Sequence, residues 1–128
     1  MNLILWILQI LMAAQFIWHG FILVAPPAEL VEIMNENLGV GFRIFLGIAE
    51  ILAGIGLIVP GITRIMPWLV PLAAAGLTFV AASATVYHLV RDEPAMYTAV
   101  LFAILAFLTY ARWKMKPIPP RRSAGFNR

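Results

Sequence analysis

The sequence contains no cysteine, and only 12% of its residues are charged. Without cysteine the chain has no disulfide bond, no thiolate metal site and no thiol nucleophile. A soluble domain carries roughly 25% charged residues, so this chain has too few to cover a surface that faces water. Because 62% of the residues are hydrophobic, the composition indicates that lipid surrounds most of the molecule.

Motifs for catalysis and cofactor binding are also missing. The sequence has no HExxH motif, no histidine pair at helical spacing, no phosphate loop, no dinucleotide fingerprint and no nucleophile elbow. A metal site would need His19, His88 and Glu50 to converge from three helices, and haem would need both histidines. We therefore expect no metal site and no intrinsic cofactor.

Four long apolar segments account for the composition, and each can cross the roughly 30 Å hydrocarbon core of a bilayer as a helix. No basic segment precedes the first, and Pro26-Pro27 follows it, so we expect a retained span rather than a cleaved signal peptide. The predicted spans cover about residues 3–24, 42–60, 67–90 and 96–113. The predicted fold is all-α, an integral membrane four-helix bundle formed by residues 1–116.

The segment between the first two spans predicts a short amphipathic helix. Pro27 suits a first helical turn, and Gly39 suits the position just after a helix end. Apolar and acidic residues alternate between them at helical spacing: Leu30, Ile33 and Met34 on one face, and Glu29, Glu32 and Glu36 on the other. We expect this helix to lie on the membrane surface, where it covers the mouth of the bundle or serves only as an interfacial anchor.

The basic residues are distributed unevenly. Four spans place both chain ends and the loop between spans two and three on one side of the membrane. That side carries seven of the nine basic residues: Arg64, Arg112, Lys114, Lys116, Arg121, Arg122 and Arg128. The positive-inside rule predicts a cell (inner) membrane protein with both termini cytoplasmic and a disordered basic tail over residues 117–128. Since orientation explains the basic clusters, nucleic acid is not an expected partner.

Glu50 lies near the middle of the second span, where a charge costs about 2.5–3.5 kcal/mol on insertion scales. Arg43, Gly47, Glu50 and Gly54 follow one another at i, i+4, i+7 and i+11, which places them on one helix face. The two glycines allow another helix to approach closely. The sequence therefore predicts that Gly47 and Gly54 pack against a neighbouring helix and that the Glu50 carboxyl group faces that helix rather than lipid.

Further polar residues belong to the half of the spans that the predicted orientation places outside. Gln15 and His19 lie one turn apart in span one, and His88 ends a small-to-polar face of span three. The candidate ligand-binding residues are Gln15, His19, Arg43, Glu50, His88 and Arg91. They predict a polar pocket open toward the outer leaflet, with Glu50 at its floor. The alternative is a hydrogen-bonded network that fixes helix packing, with the two arginines extending to the membrane surface.

Two segments carry a resemblance to a known family. The second span reads GFRIFLGIAEILAGIGLIVPG, with a Gly47-x-x-Glu50-x-x-x-Gly54 core, and the third ends in YHLVRDEP, which contains His88-x-x-Arg91. Together with the four spans, they resemble the DoxX-like family of small bacterial membrane proteins over about residues 3–113. The family's namesake is linked to a thiosulfate:quinone oxidoreductase, and other members to membrane-bound redox or detoxification complexes. The resemblance implies that Glu50, His19, His88 and Arg91 line a quinone headgroup site.

Three functions remain open. The first is a quinone- or lipid-associated subunit of a membrane redox complex, in which partner subunits supply the electron carriers that this sequence lacks. The second is a non-catalytic assembly or accessory subunit, which the small size and small-residue helix faces favour. The third is a small isomerase-like enzyme that uses Glu50 and a histidine as acid and base on a hydrophobic substrate. Expected partners are the bilayer, a quinone or other hydrophobic small molecule, and other membrane subunits or a second copy of the chain.

Overall fold

The computed structural model describes residues 2–120, and this part of the chain contains helices and no strand. The helices are α1 (Asn2–Val24), α2 (Ala28–Leu38), α3 (Val40–Thr63), α4 (Leu69–Val90) and α5 (Met96–Tyr110), and the π-helical segment Ala111–Met115 continues α5. The predicted all-α bundle with a short helix after the first span is confirmed. Most of the predicted tail, residues 121–128, lies outside the described residues.

Four helices are long and apolar enough to cross a membrane: α1 with 23 residues, α3 with 24, α4 with 22, and α5 with its π-helical extension at 20. At about 1.5 Å per residue, each reaches roughly 30 Å or more. Large apolar side chains cover the outside of the bundle, as Phe79 (74% exposed) and Phe45 (66% exposed) illustrate. Such a surface is suited to lipid, so the protein is a multi-pass membrane protein.

The short connections make consecutive spans antiparallel, which gives the bundle two distinct ends. One end holds the start of α1, the α3–α4 turn and the π-helical segment. We call it the basic end, after its cationic residues Arg64, Arg112, Lys114 and Lys116. The other end holds α2 and the α4–α5 connection, and we call it the α2 end.

The bundle is assembled from two helix pairs, because α1 packs along α3 and α4 packs along α5, while α3 also contacts α4. Between them lies a core of buried residues that includes Leu5, Met12, Phe16, Leu57, Leu77, Leu105 and Leu108. Within lipid, helices associate through close packing and hydrogen bonds rather than through the hydrophobic effect. The Thr85 hydroxyl, for example, donates to Thr98 Oγ1 at 3.0 Å and links α4 to α5.

The contact between α1 and α3 brings their backbones together. A Cβ atom placed on Gly20 would lie 2.6 Å from the Gly47 carbonyl oxygen, and one on Gly47 would lie 2.7 Å from the Gly20 oxygen. A Cβ on Gly54 would lie 2.6 Å from the Ile17 side chain. Only glycine allows this approach without a shift of the helices, and the approach places side chains of α1 within hydrogen-bonding reach of α3.

Two helix boundaries that lie near prolines differ from the predicted ones. The α3 helix continues past Pro60 and ends at Thr63, followed by Arg64 in the left-handed conformation with φ 57°. A membrane helix tolerates the loss of the backbone hydrogen bond that such a proline removes, because neighbouring groups satisfy the freed carbonyl oxygen. Pro71 lies in the first turn of α4, which begins at Leu69. The N–H groups of a first helical turn make no intrahelical hydrogen bond, so the N–H group that Pro71 lacks costs the helix no bond.

Candidate functional site

Glu50 and His19 meet where α1 and α3 approach most closely. The distance between His19 Nδ1 and Glu50 Oε1 is 2.7 Å. The Glu50 side chain is 1% exposed, whereas that of His19 is 49% exposed. The acid lies between Gly47 and Gly54 on the face of α3 that contacts α1. The carboxyl group is therefore buried inside the bundle, and the imidazole ring lies between it and the lipid-facing surface.

This contact fixes which nitrogen of the His19 ring bonds Glu50 and which one can donate or accept a proton elsewhere. When Nδ1–H of His19 donates to the Glu50 carboxylate, Nε2 is an acceptor in neutral imidazole and a donor in imidazolium. The carboxylate balances the positive charge of the imidazolium form, which a membrane interior otherwise disfavours. Within residues 2–120 no hydrogen bond reaches Nε2. One ring nitrogen is therefore available to a group that approaches from outside the bundle.

Arg43, one turn before Gly47 on α3, is also buried, with 6% exposure. Its Nη1 donates to the carbonyl oxygens of Leu23 and, at 3.4 Å, of Val24, and its Nε donates to Asn35 Oδ1 at 3.0 Å. The last carbonyl groups of a helix lack intrahelical partners and carry partial negative charge. Arg43 thus caps the C-terminus of α1 and joins it to α2 and α3.

Gln15 connects to a different helix from His19, although the two are only one turn apart. The hydroxyl group of Tyr97 donates to Gln15 Oε1, which joins α1 to the start of α5. The same side of α1 therefore serves two contacts, with α5 through the amide and with α3 through the imidazole.

His88 and Arg91 form a local cluster with Glu93 at the end of α4. His88 Nδ1 is 2.8 Å from Glu93 Oε1, and Arg91 Nε donates to Glu93 Oε2 at 3.2 Å. The hydrogen bond with His88, and then that with Arg91, lowers the pKa of the Glu93 carboxyl group below its ordinary value. The structure brings these residues to Glu93 and not to the His19–Glu50 pair.

Two cavities of about 400 Å³ and 410 Å³ lie at the basic end. The first lies between α4 and α5 and is lined by Ala75, Thr78, Ala106, Thr109, Tyr110, Trp113 and Lys114. Neither is lined by His19 or Glu50, so this pair belongs to the α1–α3 surface rather than to either cavity. No group of three or more His, Asp or Glu residues that could hold a metal ion occurs in the part of the chain that the structure describes.

A buried polar cluster at the basic end was missed at the sequence level. Gln9 Nε2 donates to the Leu57 carbonyl oxygen at 2.7 Å, and Gln9 Oε1 accepts from Arg112 Nε at 2.6 Å. Both side chains are at most 2% exposed. Arg112 resembles one more cytoplasmic basic residue in the sequence. The sequence does contain a signal for this cluster, because the Gln9 amide and the Arg112 guanidinium group lie at the same depth in two different spans.

The fold and these contacts define a class, that of small four-span membrane proteins whose polar groups lie at helix contacts. The sequence model of the DoxX-like family matches residues 7–111 of this chain. The chain therefore belongs to the DoxX-like family, which confirms the resemblance found in the Gly47–Gly54 and His88–Arg91 motifs. Comparisons with curated proteins and with solved structures gave no significant match.

Proposed function

We propose that this protein binds a quinone-type or similarly lipid-like ligand, whose polar headgroup bonds the His19–Glu50 pair from the lipid side of the bundle. The observation that carries the proposal is the 2.7 Å contact between a buried carboxyl group and a half-exposed imidazole ring. Ionisable groups within membrane spans are costly and commonly mark ligand or proton pathways. In this pair a carboxyl group is buried at an energetic cost, and within residues 2–120 Nε2 of the histidine ring is free to bond a ligand.

The pair suits both redox forms of a quinone. In the imidazolium form, His19 Nε2–H donates to a quinone carbonyl oxygen, and in the neutral form Nε2 accepts from a quinol hydroxyl group. Glu50 supports both forms through Nδ1. The apolar tail of the ligand would lie in lipid beside the exposed side chains of α1, such as Trp18 and Phe21. The chain has no electron-carrying motif, so we propose that it acts as a subunit beside a redox partner.

The proposal is tested by equilibrium binding of a short-tailed quinone to the purified protein in nanodiscs. We expect saturable binding to the wild type and at least about tenfold weaker binding to His19→Leu, since a hydrogen bond that involves a charged group contributes about 1.5–3 kcal/mol. Glu50→Gln should weaken binding less than His19→Leu, because the amide can still accept from Nδ1 but no longer balances an imidazolium charge.

His88→Gln is the matched control, because His88 also bonds a glutamate through Nδ1 but does so at the end of α4. It should bind quinone as the wild type does. Absence of saturable binding to the wild type would refute the proposal, as would equal affinity of His19→Leu and the wild type. Equal losses in His88→Gln and His19→Leu would instead favour the wider pocket that the sequence predicted.

A second candidate function, acid–base catalysis on a hydrophobic substrate, is favoured by the same contact. A carboxyl group and an imidazole ring that share a proton can remove a proton from one carbon and return it to another, as isomerases do. Such an activity would change the lipid-soluble pool of cells that express the wild type, with a new isomer visible by chromatography. Both His19→Gln and Glu50→Gln should abolish the isomer, and its presence in either variant excludes this function.

A further inference from the structure

In the part of the chain that the structure describes, Arg112 is a buried cation without an anionic partner. Its side chain is 2% exposed, and its hydrogen-bond acceptors are all neutral: Nε donates to Gln9 Oε1, and Nη1 donates to Asn2 Oδ1 at 2.7 Å and to the Lys116 carbonyl oxygen at 2.9 Å. The Trp6 ring lies 5.5 Å from the guanidinium carbon. Within residues 2–120, Nη2 is buried and has no hydrogen-bond partner. A buried charge in this state is unfavourable unless a counter-charge approaches it.

No acidic side chain of the chain can supply that counter-charge. The six acidic residues are Glu29, Glu32 and Glu36 on α2, Glu50 in the middle of α3, and Asp92 and Glu93 in the α4–α5 connection. All of them lie at mid-depth or toward the α2 end, away from Arg112. The acidic side chains therefore leave Arg112 without a counter-charge within residues 2–120, and an anionic ligand could supply one.

The second cavity, of about 410 Å³, adjoins Arg112 and adds further positive charge. Its lining residues are Asn2, Trp6, Gly61, Arg64, Arg112, Lys116, Pro117, Ile118 and Pro119. Arg64 and Lys116 contribute cationic side chains at the exposed rim, and Trp6 and Ile118 contribute apolar walls. A volume above about 300 Å³ is typical of small-molecule sites. The cavity thus combines a buried guanidinium group, two cations at its rim and no acid.

The π-helical segment places Arg112 at this cavity. The Lys116 N–H donates to the Ala111 carbonyl oxygen at 2.7 Å, which is the i to i+5 bond of a π-helix. This widened turn directs the Lys116 carbonyl toward Arg112 Nη1 and keeps both residues at the cavity wall. Single π-helical turns are rare and frequently occur at functional sites.

We propose that this cavity binds a phosphate group, with Arg112 as the buried contact and Arg64 and Lys116 at the rim. Nη2 is the guanidinium nitrogen of Arg112 that has no partner within residues 2–120, and guanidinium N–H groups donate strong hydrogen bonds to phosphate oxygens. An anionic phospholipid headgroup and free phosphate share this chemistry. The apolar walls and the position at a membrane surface favour the phospholipid, because basic pockets between membrane helices bind such headgroups.

The test uses the purified full chain in neutral detergent and measures binding by native mass spectrometry and thermal unfolding. Three probes are titrated: short-chain phosphatidylglycerol, zwitterionic phosphatidylcholine of the same chain length, and inorganic phosphate. We expect phosphatidylglycerol to saturate a single site at least about tenfold more tightly than phosphatidylcholine. The double variant Arg64→Gln/Lys116→Gln should lose about tenfold in affinity while it keeps the buried contacts that hold the fold together.

Lys114→Gln is the matched control, because it removes one cation from the same segment but lines the cavity between α4 and α5. It should bind phosphatidylglycerol as the wild type does. If Lys114→Gln weakens binding as much as the double variant, general surface charge explains the effect and the proposal is overturned. No saturable binding of either phosphatidylglycerol or inorganic phosphate overturns it as well.

The three probes also distinguish the source of the phosphate group. Tight phosphatidylglycerol binding that inorganic phosphate does not displace identifies a lipid site. Displacement by inorganic phosphate, together with stabilisation by phosphate alone, identifies a soluble phosphate ligand at the same cations. Arg112→Gln is then used on the identified probe, with Arg112→Lys to retain the charge, and the site requires weaker binding in Arg112→Gln than in Arg112→Lys.

Discussion

The polar residues within the spans differ in how fully the protein satisfies them. Arg43 donates through Nη1 to the carbonyl oxygens at the end of α1 and through Nε to Asn35, and within residues 2–120 none of its nitrogens is both buried and without a partner, so its role is to cap a helix. His19 and Arg112 each retain an N–H or ring nitrogen without a partner within residues 2–120. Buried polar groups are normally paired, so the buried Nη2 of Arg112 indicates a ligand contact, whereas the free nitrogen of His19 is on a half-exposed ring that a ligand can reach from the lipid side. Both proposals therefore rest on His19 and Arg112 rather than on Arg43.

Glu93 gives a prediction about pH at the residue scale. Its hydrogen bonds with His88 and Arg91 lower the pKa of the carboxyl group below the ordinary 4.5. A lowered pKa means that the stabilisation is complete above the ordinary value and is lost as the pH falls through the lowered one. We expect wild type to unfold at a higher temperature than Glu93→Gln near about pH 6, and the difference to shrink toward about pH 3.

The measurement is thermal unfolding in detergent across that range, and the effect should be small because Glu93 is exposed. Glu36→Gln on α2 is the control, because Glu36 makes none of the hydrogen bonds that hold Glu93. A difference between wild type and Glu93→Gln that stays constant with pH would show that the cluster contributes nothing through its charge.

At the level of the helices, the sequence predicted the elements but not most of their contacts. Apolar length identifies a span, and Pro27 with Gly39 identifies α2, because these signals are local. Which polar side chains meet depends on the rotation of each helix about its axis, which no local pattern specifies. His88 therefore bonds Glu93, five residues away, instead of Glu50, and Arg112 bonds Gln9 across 103 positions of sequence.

The α1–α3 contact predicts the effect of enlarging a glycine. In Gly20→Ala the new Cβ would lie 2.6 Å from the Gly47 carbonyl oxygen, so the helices must separate. Overpacking of this kind costs about 1–3 kcal/mol in the free energy of unfolding. The separation should also weaken quinone binding, because it moves His19 away from Glu50. Unfolding in mixed micelles of dodecyl sulfate and a mild detergent measures the first effect.

Gly76→Ala is the control for that variant, because a Cβ on Gly76, inside α4, meets no atom within 4 Å. Alanine is favoured over glycine in a helix by about 0.5–1 kcal/mol, so this variant should be neutral or slightly more stable. If both variants behave alike, the backbone contact between α1 and α3 does not limit stability.

Basic and acidic residues are separated along the axis of the bundle. The basic end carries Arg64, Arg112, Lys114 and Lys116, and the α2 end carries five of the six acidic residues together with Arg43 and Arg91. Because cytoplasmic loops retain lysine and arginine, this distribution predicts that the basic end faces the cytoplasm. The anionic lipids that the Arg112 cavity would bind are concentrated on the same side in many membranes, so the orientation and the proposed phosphate site support each other.

The absence of cysteine makes this orientation directly measurable. Asn37→Cys places a thiol on the exposed face of α2, and Ile65→Cys places one in the exposed α3–α4 turn. In spheroplasts, a membrane-impermeant maleimide should label Asn37→Cys at once and Ile65→Cys only after lysis, because the two positions lie at opposite ends of spans that cross the bilayer. The unsubstituted chain, which has no thiol, sets the background. Labelling of both positions before lysis would show that the bundle does not separate two compartments, and the reverse pattern would place the Arg112 cavity at the outer leaflet.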